Sequence, residues 1–336
     1  MKEPWAQNTL GLDYRAEAEM LGEPVTPIID VHTHINGGRA AEVWADAAAR
    51  YGVVQTYSQT VLENATAVRD ALGDRVRFIA VPDFMSADKK HAFTEGFLER
   101  IRIWHGEHGA RMLKFWQAPR LRDLMDDETM AELALDGPWK ARAVELAQEL
   151  GMMVMIHIAD PDTWFATKYA DASRYGTKAQ NYEPFVRLIS RYPETQFLAA
   201  HMAGSPEDLG FLSGLLERHP NLSIDTSACK WQVRELSKQP DALRAFCERN
   251  AGRVLFGTDI VANNTNIDFD LYASRYWALR TLMETGYDGA SPIVDPDLHM
   301  VDPSVDEKST AALKGAGIYG DVLRELYFGA AQKILG

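Results

Sequence analysis

The feature that most constrains this chain is a change of period that repeats eight times. Short apolar runs rich in β-branched residues alternate with longer segments whose apolar residues recur at helical spacing. Strands are expected at 27–35, 53–57, 76–81, 111–116, 152–158, 196–201, 221–226 and 254–256. Helices are expected at about 40–51, 62–72, 90–105, 139–150, 184–192, 205–219, 241–250 and 269–285. Ser205 as N-cap and Pro206 at the first helical position set the start of the sixth helix. Parallel strands joined by helices bury both faces of their sheet, and eight such units close a (β/α)8 TIM barrel. The fold class is therefore α/β, with no second module left over. Residues 1–26 form an N-terminal lead-in and 27–336 the barrel domain. The Pro-, Asp- and Gly-rich stretch 286–309 reads as loop, and 313–335 as helix packed on the barrel.

Bulk properties exclude several function classes. The net charge of -13 and the lack of any Lys/Arg run argue against nucleic acid and anionic membranes as partners. The N-terminal residues have no apolar segment of signal-peptide type, and no run approaches the ~18 apolar residues of a membrane span. Cys229 and Cys247 are too few for a disulfide framework and lack metal-type spacing. These readings suit a cytoplasmic protein that acts on a small molecule, with a homodimer as the default assembly.

In a parallel barrel, chemistry sits at the C-terminal ends of the strands. His32 and His34 end the first expected strand, His157 the fifth and His201 the sixth, and Asp259 follows the eighth. Residues i and i+2 of a strand share a face, so His32 and His34 can both project into the barrel mouth and chelate one ion. Imidazoles and a carboxylate suit Zn²⁺ first and Mn²⁺ as an alternative. Each piece alone has a bland explanation. A His-x-His pair arises by chance, a buried histidine usually bonds a carbonyl, and Asp259 could cap a helix. Their joint placement at the ends of strands one, five, six and eight is what argues for a site.

Asp30-Val-His-Thr-His34, His157 after an apolar strand, Ala200-His201-Met-Ala-Gly204 and Leu255-Phe-Gly-Thr-Asp259 resemble the amidohydrolase superfamily. They are most similar to the amidohydrolase-related branch that includes aminocarboxymuconate-semialdehyde decarboxylase. The resemblance extends over about 27–335, with Ala330 where the family often carries Asn. It implies that His32, His34, His157 and Asp259 hold one divalent metal ion. It also implies that Asp259 can shuttle a proton and that His201 acts as acid/base or polarises the substrate. In a binuclear relative His201 would be a ligand of the second ion.

Lys114 stays open among three roles. It could be a carboxylated lysine bridging a second metal, a catalytic ammonium facing the substrate, or a lysine paired with a barrel carboxylate such as Asp30. The last two are preferred, because the close branch is mostly mononuclear. Tyr57, Trp116, Trp164 and Ser227 are candidate substrate-binding residues, and Asp83 and Gln117 also stand at strand ends. The long segment 160–181 is expected to cover the site or to join a partner subunit. Two chemistries fit. The favoured one is a hydrolase attacking a lactone, amide or ester carbonyl of a small carboxylate-bearing substrate. The alternative is a carboxy-lyase acting on an aromatic or muconate-type acid, for which Arg39, Arg120, Arg122 and Arg174 are candidate carboxylate grips. A barrel that binds metal or ligand without turnover is the third reading.

Overall fold

A computed structural model describes residues 4–336. Eight parallel strands alternate with helices in the order expected. They are β1 Ile28–Asn36, β2 Val53–Ser58, β3 Val76–Ala80, β4 Met112–Trp116, β5 Met153–His157, β6 Phe197–Ala199, β7 Leu222–Asp225 and β8 Val254–Leu255. Each pairs with its chain neighbour. A further strand, β9 Ile260–Asn263, was not expected; it continues the eighth strand after a break and pairs in parallel with β1. Val31 N–H donates to the Phe256 carbonyl at 2.9 Å and Asp259 N–H to the His32 carbonyl at 2.7 Å. These bonds tie the last strand to the first and close the ring.

The strands sort their side chains by period two. Ile29, Val31, Tyr57, Ile79, Met112, Met153, Met155, Leu198 and Leu255 fill the barrel interior, and the alternate residues face the helices. Two short, buried alanines of the Ala330–Leu335 helix, Ala330 and Ala331, join the interior cluster at the end of the barrel away from the strand C-termini.

Several expectations are corrected. The stretch 286–309 is not a loop: β10 Asp288–Val294 pairs antiparallel with β11 Thr310–Lys314, and a short helix, Pro296–Val301, lies between them. Only the end of 313–335 is helical, as Gly320–Arg324, a π-turn at Glu325–Gly329 and Ala330–Leu335. Ser205 does not cap the sixth helix. That helix is Leu209–Arg218, capped by Asp208, whose carboxylate accepts from Phe211 N–H at 2.8 Å. The Ser205 hydroxyl instead meets Tyr182 Oη at 2.8 Å. The helix expected to begin near Pro184 begins at Lys178, where Thr177 and Gln180 form a capping box, so Pro184 lies inside its first two turns. Among the described residues no helix is long and apolar enough to cross a membrane.

Candidate metal centre and active site

Period two alone would not bring all the candidate side chains into the barrel mouth. Val31 faces the interior, so His32 should face the helices. Between Asp30 and Thr33, however, β1 advances three residues while β2 advances two, from Thr56 to Ser58. This extra residue is a β-bulge, which re-aims the following side chains. It puts His32 and His34 on the interior side and leaves Asp30 on the outside. There the Asp30 carboxylate accepts from Thr258 Oγ1 at 2.7 Å, Tyr276 Oη at 3.0 Å and the backbone N–H of Thr258 and His32 at 3.1 Å each. Burial pushes its pKa up to about 7 against these hydrogen bonds.

His201 breaks the period in the same way. Leu198 and Ala200 face the interior, and His201, Met202 and Ala203 then adopt left-handed backbone, which turns the imidazole inward. Gly204 completes the turn where a Cβ would lie 2.1 Å from the Ala159 carbonyl oxygen, a place only glycine can occupy. Among the described residues five non-glycine residues have positive φ: His201, Met202, Ala203, Ala228 and Asp259. All lie at the C-terminal ends of β6, β7 and β8. Each such conformation costs on the order of 1 kcal/mol, so strain is concentrated at this one end of the barrel. Asp259 owes its aim to its own left-handed conformation and is not a helix cap.

The structure brings His32, His34 and Asp259 together. Asp259 Oδ1 lies 3.0 Å from His34 Nε2 and 3.4 Å from His32 Nε2. All three offer ligand atoms within 4.8 Å of one another. His32 Nε2 is buried and has no hydrogen-bond partner among the described residues, which fits a nitrogen that ligates a cation. Among the described residues His157 belongs to no such group. Its Nε2 is bonded to Asp160 Oδ1 at 2.8 Å, which leaves only Nδ1 to offer. Its ring centre is 4.6 Å from that of His201.

A residue absent from the sequence reading organises the floor of the site. Asp225, at the end of β7 and fully buried, accepts from the backbone N–H of His201 at 2.8 Å and of Ser227 at 3.0 Å, and lies 2.9 Å from His32 Nδ1. Burial alone would raise its pKa, but the His32 ring and the Ser227 hydroxyl outweigh burial and hold it well below the usual carboxylate range. His32, Asp225 and His201 also offer a cluster of ligand atoms, yet the Asp225 oxygens are already engaged in hydrogen bonds. We read this cluster as a support, not as an ion site.

The protonation of that support follows from counting. An ionised Asp225 only accepts, so the one hydroxyl proton of Ser227 goes to Asp225 Oδ1. Ser227 Oγ also lies 2.9 Å from His32 Nδ1 and 2.8 Å from His201 Nδ1. With its own proton committed, the oxygen must accept from both rings. Both imidazoles then carry their proton on Nδ1 and present a bare Nε2. Burial is the largest cause lowering the pKa of each, with the Lys114 charge next for His32, so both are neutral at pH 7. Gly257 allows this packing, since a Cβ there would stand 3.1 Å from His32 Cβ and 3.3 Å from Ser227 Cβ.

Lys114 lies in the mouth with its ammonium buried and without a hydrogen-bond partner among the described residues. Burial pushes its pKa down to about 8, against the pull of Asp225 and Asp259. Of the three roles left open for Lys114, pairing with Asp30 is therefore corrected, because Asp30 is satisfied on the opposite face of β1. A cavity of about 360 Å³ opens over these groups, lined by His32, His34, Lys114, Trp116, His157, His201, Trp231, Asp259 and Arg275 among others.

Of the four substrate-binding candidates only Trp116 lines this cavity. Tyr57 is packed in the barrel interior, and Ser227 lies beneath the histidines. Trp164 stands behind Trp231, ring centres 5.2 Å apart, and both indoles donate to Asp297 Oδ2. Asp83 pairs with Arg100 at 3.0 Å, and Gln117 does not line the cavity. None of Arg39, Arg120, Arg122 and Arg174 lines it either; Arg39 pairs with Glu42 and Arg174 with Asp123. The segment 160–181 carries two short helices, Asp162–Phe165 and Ala172–Tyr175. It is anchored beside the site where Asp160 accepts from Tyr169 Oη at 2.5 Å.

A family model described as Amidohydrolase matches residues 8–298. Among solved structures, 5-carboxyvanillate decarboxylase from Sphingomonas paucimobilis is 12% identical with a TM-score of 0.48, over 92% of this chain and 98% of that one. The 5-carboxyvanillate decarboxylase from Novosphingobium aromaticivorans, complexed with manganese and 4-hydroxy-3-methoxy-5-nitrobenzoic acid, is 11% identical with a TM-score of 0.49, over 93% and 97%. Uronate isomerase from Thermotoga maritima is 12% identical with a TM-score of 0.45, over 87% and 69%. No curated protein gives a significant match.

Proposed function

The chain belongs to the amidohydrolase family, and from that premise we propose that it is a metal-dependent hydrolase of a small carboxylate-bearing lactone, amide or ester. The observation that carries the reading is the bare, buried Nε2 of His32 beside His34 and Asp259. Metal-ligating histidines commonly give their other ring nitrogen to a carboxylate, which fixes the tautomer. His32 does so through Nδ1 to Asp225, and His157 through Nε2 to Asp160. On this reading His32 and His34 ligate through Nε2, His157 through Nδ1 and Asp259 through its carboxylate. Zn²⁺ or Mn²⁺ would suit this donor set.

When bound, such an ion supplies a water of lowered pKa and polarises the substrate carbonyl. The chain's own groups do the rest. Asp259, whose pKa burial would raise but the contact with His34 holds below the usual carboxylate range, is ionised and takes the proton of the attacking water. The Lys114 ammonium, buried and without a hydrogen-bond partner among the described residues, stabilises the charge that develops on the carbonyl oxygen. His201 is neutral with Nε2 bare, so it can take over from Asp259 the proton released by the attacking water, and the resulting imidazolium is balanced by Asp225 through Ser227. It can then return that proton to the leaving group. Trp116 offers an apolar wall for the organic part of the substrate.

A carboxy-lyase is the second reading. The observation that favours it is the unpartnered Lys114, which could grip a carboxylate as readily as an oxyanion. The two are separated by assaying the zinc- and manganese-loaded protein on a panel of lactones, amides and esters and on aromatic and muconate-type acids, with CO₂ detection. Hydrolysis without CO₂ release supports the first reading. CO₂ release with no hydrolysis overturns it in favour of the second.

A further inference from the structure

The charge of the cavity is opposite to that of the protein. The chain carries a net charge of -13, yet the cavity is lined by Lys114, Lys230 and Arg275 against one carboxylate, Asp259. Lys114 lies among the imidazoles. Lys230 and Arg275 come from the helices Cys229–Leu236 and Phe269–Glu284, which follow β7 and β8. Both also line a smaller adjoining space of about 180 Å³ with Asp259, Ile260, Val261, Asn266 and Leu271. Asp259, Lys230 and Arg275 line both spaces and so stand where the imidazole cluster meets this second compartment.

Arg275 is only partly committed. Its Nη1 donates to Gln7 Oε1, to Ser274 Oγ at 2.8 Å and to the Leu271 carbonyl at 3.2 Å. Its Nε and Nη2 donate to nothing, and it forms no ion pair, among the described residues. This contrasts with the other guanidinium buried nearby, Arg234, which pairs with Glu235, Asp295 and Asp297. A guanidinium held at one nitrogen with the rest of its fork open to a cavity is arranged to receive a planar carboxylate.

We propose that Arg275, with Lys230, forms an anion subsite beside Asp259, and that the substrate is a dianion bearing a second carboxylate there. The inference rests on the metal-centre reading for the position of the reacting group and adds the class of substrate. A second carboxylate at this compartment would orient the substrate, with its reactive group toward His32, His34 and Asp259. Charge complementarity of this kind also raises the encounter rate for anions despite the acidic exterior.

The test is a binding measurement by titration calorimetry on zinc-loaded protein, with metal content determined on the same samples. The probes are isophthalate against benzoate and glutarate against butyrate. At least one dianion should bind about ten-fold or more tighter than its monoanion. R275Q should shrink that ratio to about two-fold or less, and R275K should restore part of it, while monoanion binding is little changed. If R275Q does not fold, K230M provides the same comparison with a smaller expected loss. No dianion preference in the wild type, or a preference that survives R275Q, overturns the subsite. Protein that folds but takes up no ion overturns the metal-centre reading instead, whatever the anions do.

Discussion

The two ends of this barrel are built from the same eight strands under opposite rules. At the end away from the strand C-termini, alternation is interrupted only where β2 advances from Val53 to Gln55 against Ile28 and Ile29 of β1, the interior side chains of the cluster there are apolar, and Ala330 and Ala331 of the last helix complete the packing. At the other end, alternation breaks at the bulge after Asp30, at His201 and at Asp259, and every left-handed non-glycine residue described lies there. The more regular end can supply stability because none of the described left-handed non-glycine residues lies there. The irregular end aims imidazoles, a carboxylate and an ammonium at one space, which regular pleating would have divided between two faces. Stability and chemistry are thus allotted to different ends of one sheet.

The largest test of that division is His32→Ala combined with His34→Ala. Metal analysis should show the bound ion lost and turnover with it, while circular dichroism and thermal melting show the barrel still folded. Retained metal in the double variant would mean the ligand set is wrong. Loss of the fold would mean the two ends are not separable.

The converse change is Met112→Ala, at the regular end of β4 and fully buried. It should cost about 2–5 kcal/mol in urea unfolding, through the lost transfer energy and the cavity left behind. Metal affinity should move by less than about three-fold, as expected for sites that share no partner. A large loss of affinity at unchanged stability would contradict the proposed separation.

How much could be read beforehand follows the same line. The regular end and the element order were legible, because period two and period 3.6 are properties of local sequence. The strand positions of His32, His34, His157, His201 and Asp259 were legible too. What aims them was not. The bulge after Asp30 is a property of pairing between β1 and β2, and nothing in Val-His-Thr-His announces it. Asp225 was missed because one aspartate after Leu-Ser-Ile looks like any strand end. Its role appears only when His32, His201 and Ser227 converge on it from three strands. The signal available was its period: Ser223 and Asp225 alternate with Leu222 and Ile224, which marks them as interior residues. The β10–β11 hairpin was missed because Gly, Pro and Asp outweigh the short runs that pair.

Asp225→Asn sharpens the comparison within the irregular end. The change removes the charge, and an amide nitrogen placed toward His32 would favour the other ring tautomer, with the proton on Nε2. Metal affinity, measured by chelator competition, should fall about 10- to 100-fold, the usual effect of losing a partner that orients a ligand. Unchanged affinity would overturn the proton assignment drawn through Ser227. The barrel should remain folded, since the residues that pack the opposite end are untouched.

The smallest effect separates two buried lysines. Lys114 faces the mouth, where Asp225 and Asp259 favour its charge. Lys140 lies in the outer layer, 2% exposed, its Nζ 4.6 Å from the centre of the Phe115 ring. Burial pushes its pKa down to about 7. A depressed lysine pKa means that the unfolded chain binds the proton more readily than the folded one. The stability from the neutral amine is complete above the unfolded value, near ~10.4, and is lost as pH falls toward about 7. Across that window stability should rise with pH by up to ~1.4 kcal/mol per unit from this group. Lys140→Met keeps the aliphatic stem and removes the titration. Urea unfolding at pH 7, 8 and 9 should show the variant more stable at pH 7, by about 1 kcal/mol or more, with the gap closing as pH rises. A gap that stays constant with pH would mean the Phe115 face already compensates the charge. In that case Lys114 would be left as the buried ammonium whose cost the fold accepts for the sake of the site.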